Sequence, residues 1–271
     1  MRVQKLSILF ISFSFIFSFW SSAWAISFSD LSPALKVQLQ RQKTVVIPVT
    51  LEDHLLKGAV FRWVPKRSPV ELAAIFFDYD KQYLFLPGMT STRVIEWKGA
   101  QARVRHRMNP MAFIIDQPPA YFHSSFFDLT AFSYDLYERV EQRDGAYLIS
   151  WEMPPEARAH RSQEKGSILF ESVGGGTLIS YQNETEPFFY EALFGSQNIS
   201  PVGQSMQAFF RQTAQQYYEK TIRYFLWYSD SLFKREGYVW KRVNRMLEVL
   251  ERTPKIKGES SGLTERPGEE F

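Results

Sequence analysis

The feature that most constrains the fold is a series of short alternating segments followed by one long helical pattern. Apolar and polar residues alternate with a period of two, and the Asp144-Gly145 pair and a triple glycine at 174–176 mark turns. After Pro187 the apolar residues recur every three to four positions instead. The predicted strands are residues 131–141, 146–153, 166–172 and 177–185. This succession predicts an antiparallel meander that packs against a helix.

The first part of the chain contributes further strands and a well-marked helix. Ser68 and Glu71 have the spacing of a capping box, and Pro69 occupies the first helical position, so a helix is predicted from there to Phe77. We also predict short helices at 33–42 and 82–86, strands at 44–51 and 58–64, and a hairpin of 90–97 with 102–108. Residues 109–130 contain three prolines and are interpreted as an irregular strand or a mobile flap.

The C-terminal part is predicted to be helical. Ser200-Pro201 is a plausible start, and a break near Gly237 precedes a further amphipathic helix at 239–250. Residues 253–271 are rich in Gly, Ser, Pro and charge, which indicates a disordered tail. The predicted inward stripe of the long helix comprises Met206, Phe209, Phe210, Thr213, Tyr217, Tyr224, Phe225 and Tyr228.

The N-terminus has the pattern of a cleavable secretory signal peptide. Arg2 and Lys5 precede an apolar run at 6–20, and Ala23 and Ala25 are the small residues of a cleavage site. The alternative is an uncleaved membrane anchor. Cleavage is favoured because the run contains four serines and is shorter than the roughly 20 apolar residues that a span needs. We therefore expect a periplasmic protein that begins near Ile26.

Composition narrows the classes of partner. The chain has 32 basic and 29 acidic residues, and two of the basic ones lie in the predicted signal peptide. The remainder is nearly neutral, so we do not expect nucleic acid as a partner, because phosphate binding relies on clustered positive charge. The absence of cysteine excludes a disulfide framework. Aromatic residues make up 16% of the chain, which suits a thick core or an apolar cavity.

Two blocks of the sequence resemble a known superfamily. The stretch SPVELAAIFFDYDKQYLFLPGMTSTRVIE at 68–96 and the stretch GSILFESVGGGTLISYQNETEP at 166–187 are similar to the START-like superfamily, which includes polyketide cyclases and coenzyme Q-binding proteins. Trp151 lies where that family often has a strand tryptophan. The resemblance covers roughly residues 44–228. It implies an α+β helix-grip fold, in which a curved antiparallel sheet wraps around a long C-terminal helix with a cavity between them.

Sequence motifs for catalysis are scarce. The four histidines are not paired at ligand spacing, and neither a zinc motif nor a G-x-S-x-G elbow occurs, so we expect no metal and no cofactor. His106 is predicted on the covered face of its strand, either as a core histidine or as a pocket histidine that contacts a ligand. Arg103, Arg105 and Arg107 form a row on the opposite face. That row is either a solvated surface or a peripheral contact with anionic lipid.

These observations lead to a prediction of ligand binding. The expected domains are a signal peptide at 1–25, a helix-grip domain at 26–252 and the tail at 253–271. We expect a monomer that binds or carries an apolar small molecule, most simply a lipid. The alternatives are a polyketide-cyclase-like enzyme and an interaction protein without a ligand, and non-catalytic binding is favoured. The predicted ligand-binding residues are His106, Tyr147, Ile149, Trp151, Tyr181, Phe210 and Tyr217.

Overall fold

The computed structural model of the protein describes residues 25–42, 44–52, 55–109, 131–154, 164–186, 201–235 and 237–252. The strands in these ranges are β1 (Thr44–Glu52), β2 (Leu55–Pro65), β3 (Met89–Lys98), β4 (Gln101–Met108), β5 (Phe132–Arg143), β6 (Ala146–Glu152), β7 (Glu164–Val173) and β8 (Gly176–Thr185). The α-helices are α1 (Pro33–Gln42), α2 (Pro69–Phe77), α3 (Pro201–Phe233) and α4 (Tyr238–Glu251). The described ranges also contain two 3₁₀ helices, Phe28–Asp30 and Tyr79–Leu84.

All eight strands belong to one curved antiparallel sheet. The strand order is β1-β2-β8-β7-β6-β5-β4-β3, so the pairing of β2 with β8 joins the first hairpin to the later meander. α3 packs against β1 and β2, and α2 packs against β6 and β7. The α+β helix-grip fold predicted from the sequence is confirmed.

The alternation of side chains gives the sheet two apolar faces. On β2, Val60 belongs to the core beneath α2 and α3, which we call the inner core. Its neighbour Phe61 points the other way, into a smaller outer core that α1 and the segment around Phe28 cover. One cavity of the described part lies on the inner face, where it is lined by residues of the inner core.

α2 begins and is buried as its sequence predicts. The Ser68 hydroxyl accepts from the Glu71 amide at 3.4 Å, and the Glu71 carboxylate accepts from the Ser68 amide at 3.3 Å. Every residue from Leu72 to Phe77 is buried. The helix therefore forms the centre of the inner core and is contacted by α4 on its far side.

A glycine permits the close approach of α3 to the sheet. A Cβ atom on Gly58 of β2 would lie 2.5 Å from the ring of Tyr218 on α3 and 2.9 Å from Val49. A larger residue here would force the helix away from the sheet. Tyr218 itself is fully buried.

The structure corrects three details of the sequence analysis. The short helix expected at 82–86 is a 3₁₀ helix at Tyr79–Leu84. β7 begins at Glu164, two residues earlier than predicted. Phe209, assigned to the inward stripe of the long helix, is 53% exposed. Phe209 therefore does not share the buried face of Tyr217, Tyr224 and Tyr228, which the three-to-four spacing alone did not show.

Several predictions fall outside the described residues. They are most of the signal peptide, most of the 109–130 segment and the tail from 253. Among the helices that the structure describes, none combines the length and apolarity needed to cross a membrane.

Candidate functional site

A small cavity lies between the sheet, the Tyr79–Leu84 segment and α3. Its volume is about 20 Å³, enough for about one water molecule. The apolar part of its wall includes Phe76, Leu86, Met89 and Leu136. The polar part comprises Gln82, His106, Tyr134, Glu138 and Glu164. Titratable groups are thus concentrated in a core that is otherwise aromatic and aliphatic.

His106 and Glu138 form a buried pair at the centre of this cluster. The alternation of β4 and β5 directs both side chains to the inner face, and each is only 2% exposed. His106 Nε2 lies 2.9 Å from Glu138 Oε1. Gln82 Nε2 donates to the other carboxylate oxygen, Oε2, at 2.8 Å. Both oxygens of Glu138 are therefore engaged, which offsets the cost of burying a carboxylate.

Glu164, the first residue of β7, adds a second carboxylate. Burial raises the pKa of Glu164 to about 6, and the nearby negative charge of Glu138 contributes to the rise. His106 and hydrogen bonds with Asn183 and Tyr134 act in the opposite direction. Glu164 therefore changes its charge close to neutral pH, which an exposed glutamate does not do.

Three tyrosines supply hydroxyl groups around the carboxylates. Burial raises the pKa of Tyr134, Tyr181 and Tyr217 well above the ordinary value. These hydroxyls therefore keep their protons across the physiological range and can act as donors. The Tyr134 ring also stacks on His106, with a centroid distance of 5.4 Å.

Of the seven predicted ligand-binding residues, four line the cavity. These are His106, Trp151, Tyr181 and Tyr217. Tyr147 and Ile149 are buried in the inner core, on the strand face that they share with Trp151, but they are not part of the cavity wall. The side chain of Phe210 lies outside the described part of α3.

The sequence analysis missed Gln82, Glu138 and Glu164, and its expectation of few titratable candidates beyond His106 was wrong. The sequence did contain a signal for Glu138, because it lies two residues from Leu136 and from Val140 and so shares the apolar face of β5 with them. Glu164 was hidden by the strand boundary, since it was assigned to the preceding connection. No local sequence pattern indicated a role for Gln82, because the residue it contacts, Glu138, lies 56 positions further along the chain.

A second concavity, of about 840 Å³, is open to solvent between α3 and the β1–β2 edge of the sheet. Val46, Ile222 and Leu226 contribute apolar surface, but the lining also includes Arg62, Glu219, Lys220 and Arg223. This charged groove is a poor match for an apolar ligand.

The arginine row on β4 is partly neutralised. Arg103 Nε and Arg105 Nε each donate to Asp135, at 2.8 Å, on the neighbouring strand. Because the two guanidinium groups share one carboxylate, the positive electrostatic potential that the row presents to anionic lipid is weaker. These contacts favour the interpretation of the row as a paired strand surface.

The site's chemistry is that of proton donors and acceptors. Within the described ranges, no group of three or more histidine or acidic residues has an arrangement that could hold a metal ion. The cluster can bind a polar group by hydrogen bonds. It can also transfer protons, since His106 lines the same cavity as Glu164, whose pKa is about 6.

The described elements have the α+β helix-grip fold that the START-like resemblance in the sequence implied. The structure is similar to a STAR-related lipid transfer protein fragment from Xanthomonas axonopodis, with 13% identity, a TM-score of 0.47, and coverage of 70% of this chain and 94% of that one. It is also similar to a Streptomyces aromatase/cyclase, with 9% identity, a TM-score of 0.45, and coverage of 67% and 98%.

Human STARD10 is a third similar structure, with 11% identity, a TM-score of 0.40, and coverage of 83% of this chain and 91% of that one. No known family model matches the sequence. No curated protein matches it either. These similarities concern the fold alone and do not indicate what this chain binds.

Proposed function

We propose that the protein binds an apolar small molecule between the sheet and α3, with a polar group of that molecule in the His106–Glu138 cavity. One observation carries this proposal: titratable side chains converge on a small cavity within an apolar core. Buried charges that serve stability alone are commonly replaceable by apolar residues. Convergent polar groups with a perturbed pKa in an apolar pocket are typical of ligand sites.

The size of the cavity sets a condition on binding. Small-molecule pockets usually measure about 300–1,000 Å³, whereas this cavity measures about 20 Å³. An apolar ligand therefore has to displace part of the wall. Met89 is suited to this because the methionine side chain is unbranched and flexible and repacks at low cost.

We further propose that the ligand is a lipid and that the protein acts in the periplasm as a monomer. The export proposal is supported by the basic, apolar and small-residue segments at 1–25. The preference for a lipid is supported by the aromatic and aliphatic wall. Burial of the ligand's apolar surface would supply roughly 25 cal/mol per Å².

Native mass spectrometry with solvent extraction tests the proposal, using protein purified from its own cell compartment without denaturant. We expect a stoichiometric apolar species. Leu136→Phe adds bulk to the cavity wall and should displace this species. Leu148→Phe is the matched control, because Leu148 is buried but is not part of the wall. An empty wild-type protein would overturn the proposal and favour the interaction protein.

Catalysis is the second candidate, and the proximity of His106 to two carboxylates favours it. A polyketide-cyclase-like reaction would use such groups as general acid and base. His106→Gln separates the two candidates. A binding protein should release the same molecule from wild type and variant. An enzyme should release product from the wild type and accumulate an unconverted substrate on the variant.

A further inference from the structure

Among the described residues of the cavity wall, two buried atoms have no hydrogen-bond partner. They are Gln82 Oε1 and His106 Nδ1, and both residues are about 1% exposed. In the described part of the chain, Gln82 Nε2 donates to Glu138 and to the carbonyl of Phe76, and His106 Nε2 contacts Glu138. A buried polar atom without a partner is costly, by about 1–3 kcal/mol. The two atoms therefore mark a position where a ligand group is expected to bind.

The chemistry of these atoms specifies the group. Gln82 Oε1 only accepts hydrogen bonds, since the Nε2 of the same amide donates to Glu138. The open position on Gln82 therefore requires a donor. His106 Nδ1, on the same wall, donates or accepts according to the tautomer of the ring, so it does not restrict the group further.

The two carboxylates in the cavity wall disfavour an anion. Glu138 and Glu164 both line the cavity, His106 is the one basic residue among the described residues of its wall, and the surrounding tyrosines of β5, β8 and α3 are neutral. A carboxylate or phosphate group would meet two like charges in a medium of low dielectric constant and would have no proton to donate. A hydroxyl or amine would avoid both penalties.

We propose that the ligand presents a hydroxyl or amine donor to Gln82, and that apolar molecules with an acidic head group are rejected. This inference rests on the proposed function and names the class of ligand for the same site. The Gln82–Glu138 contact then has a second role. It fixes the amide so that its oxygen, and not its nitrogen, faces the ligand.

Three probes with the same apolar chain test the inference: dodecanol, dodecylamine and dodecanoic acid. Binding of each to the purified protein is measured at about pH 7.5, above the pKa of Glu164, by competition in native mass spectrometry. We expect the alcohol and the amine to bind at least about tenfold more tightly than the acid.

Two variants assign the selectivity to the wall. Gln82→Met keeps the length of the side chain and removes the acceptor, so alcohol affinity should fall about tenfold. Glu164→Gln removes one carboxylate and should strengthen binding of the acid. Ser180→Ala is the control, because the Ser180 hydroxyl is also buried without a partner but lies outside the cavity. It should leave all three affinities unchanged.

The outcomes distinguish a failure of the head-group inference from a failure of the proposed binding function. Equal binding of all three probes, or tighter binding of the acid, would overturn the inference and leave apolar binding intact. Failure of every probe to bind would overturn the proposed function as well. The comparison on wild-type protein decides the matter even where a variant fails to fold, and thermal melting identifies such a variant.

Discussion

The carboxylate of Glu164 lies among groups that disfavour its negative charge. Its folded-state pKa of about 6 is above the ordinary value of 4.5, so the folded protein holds this proton more tightly than the unfolded chain does. The contribution of Glu164 to stability is therefore greatest below about pH 4.5 and falls as pH rises through 6, by about 2 kcal/mol. The loss is complete above that window.

Glu164→Gln should remove this pH dependence. We expect the free energy of unfolding of the variant, relative to wild type, to increase by about 2 kcal/mol between pH 4.5 and pH 7. Urea unfolding of both proteins at each pH measures this difference in free energy. Glu152→Gln, at an exposed carboxylate on β6, is the control. A difference between Glu164→Gln and wild type that stays constant with pH would show that the fold does not disfavour this charge.

At the scale of elements, the contact between α3 and β2 depends on Gly58. Gly58→Ala places a methyl group against the Tyr218 ring and should destabilise the protein by about 1–3 kcal/mol, as overpacking does. In a Tyr218→Leu background the ring is absent, so the same substitution should cost clearly less. Thermal or urea unfolding of the four proteins gives the coupling. Additive effects would contradict this account of how the helix approaches the sheet.

α4 is attached to α2 through Asp78 at the end of α2. Arg242 Nε lies 2.9 Å from Asp78 Oδ2, as an ion contact without hydrogen-bond geometry, and the two side chains are 15% and 12% exposed. Arg245 approaches the same carboxylate at 3.6 Å but is 51% exposed. The two arginines contact the same carboxylate but differ in burial, and Arg242 also donates to the Tyr238 carbonyl at 3.1 Å.

Arg242→Met should therefore destabilise the protein by more than about 1.5 kcal/mol, whereas Arg245→Met should cost less than about 1 kcal/mol. Urea unfolding compares them directly. Equal costs would mean that burial does not control the strength of this contact. Hydrogen exchange should also show α4 opening more often in the first variant.

At the scale of the whole molecule, the order of strands and helices was predictable because its signals are local. The Ser68 capping box, the Asp144-Gly145 turn and the alternation along β4 each act over a few residues. The polar cluster was not predictable to the same extent. Glu138 and Gln82 come together only when β5 crosses beneath the Tyr79–Leu84 segment, and that contact depends on the packing of the whole inner core.

The proposed export of the protein gives the last prediction. Ile26 and Phe28 pack against the outer core, and the Ser27 hydroxyl donates to Glu171 at 2.8 Å. Cleavage after Ala25 keeps this docked segment intact, whereas cleavage after Phe28 would remove it. We expect protein from a periplasmic extract to begin at Ile26 by intact mass and N-terminal sequencing, and Ala25→Arg to block processing. A chain that stays in the membrane fraction with residues 1–25 attached would make this segment an anchor.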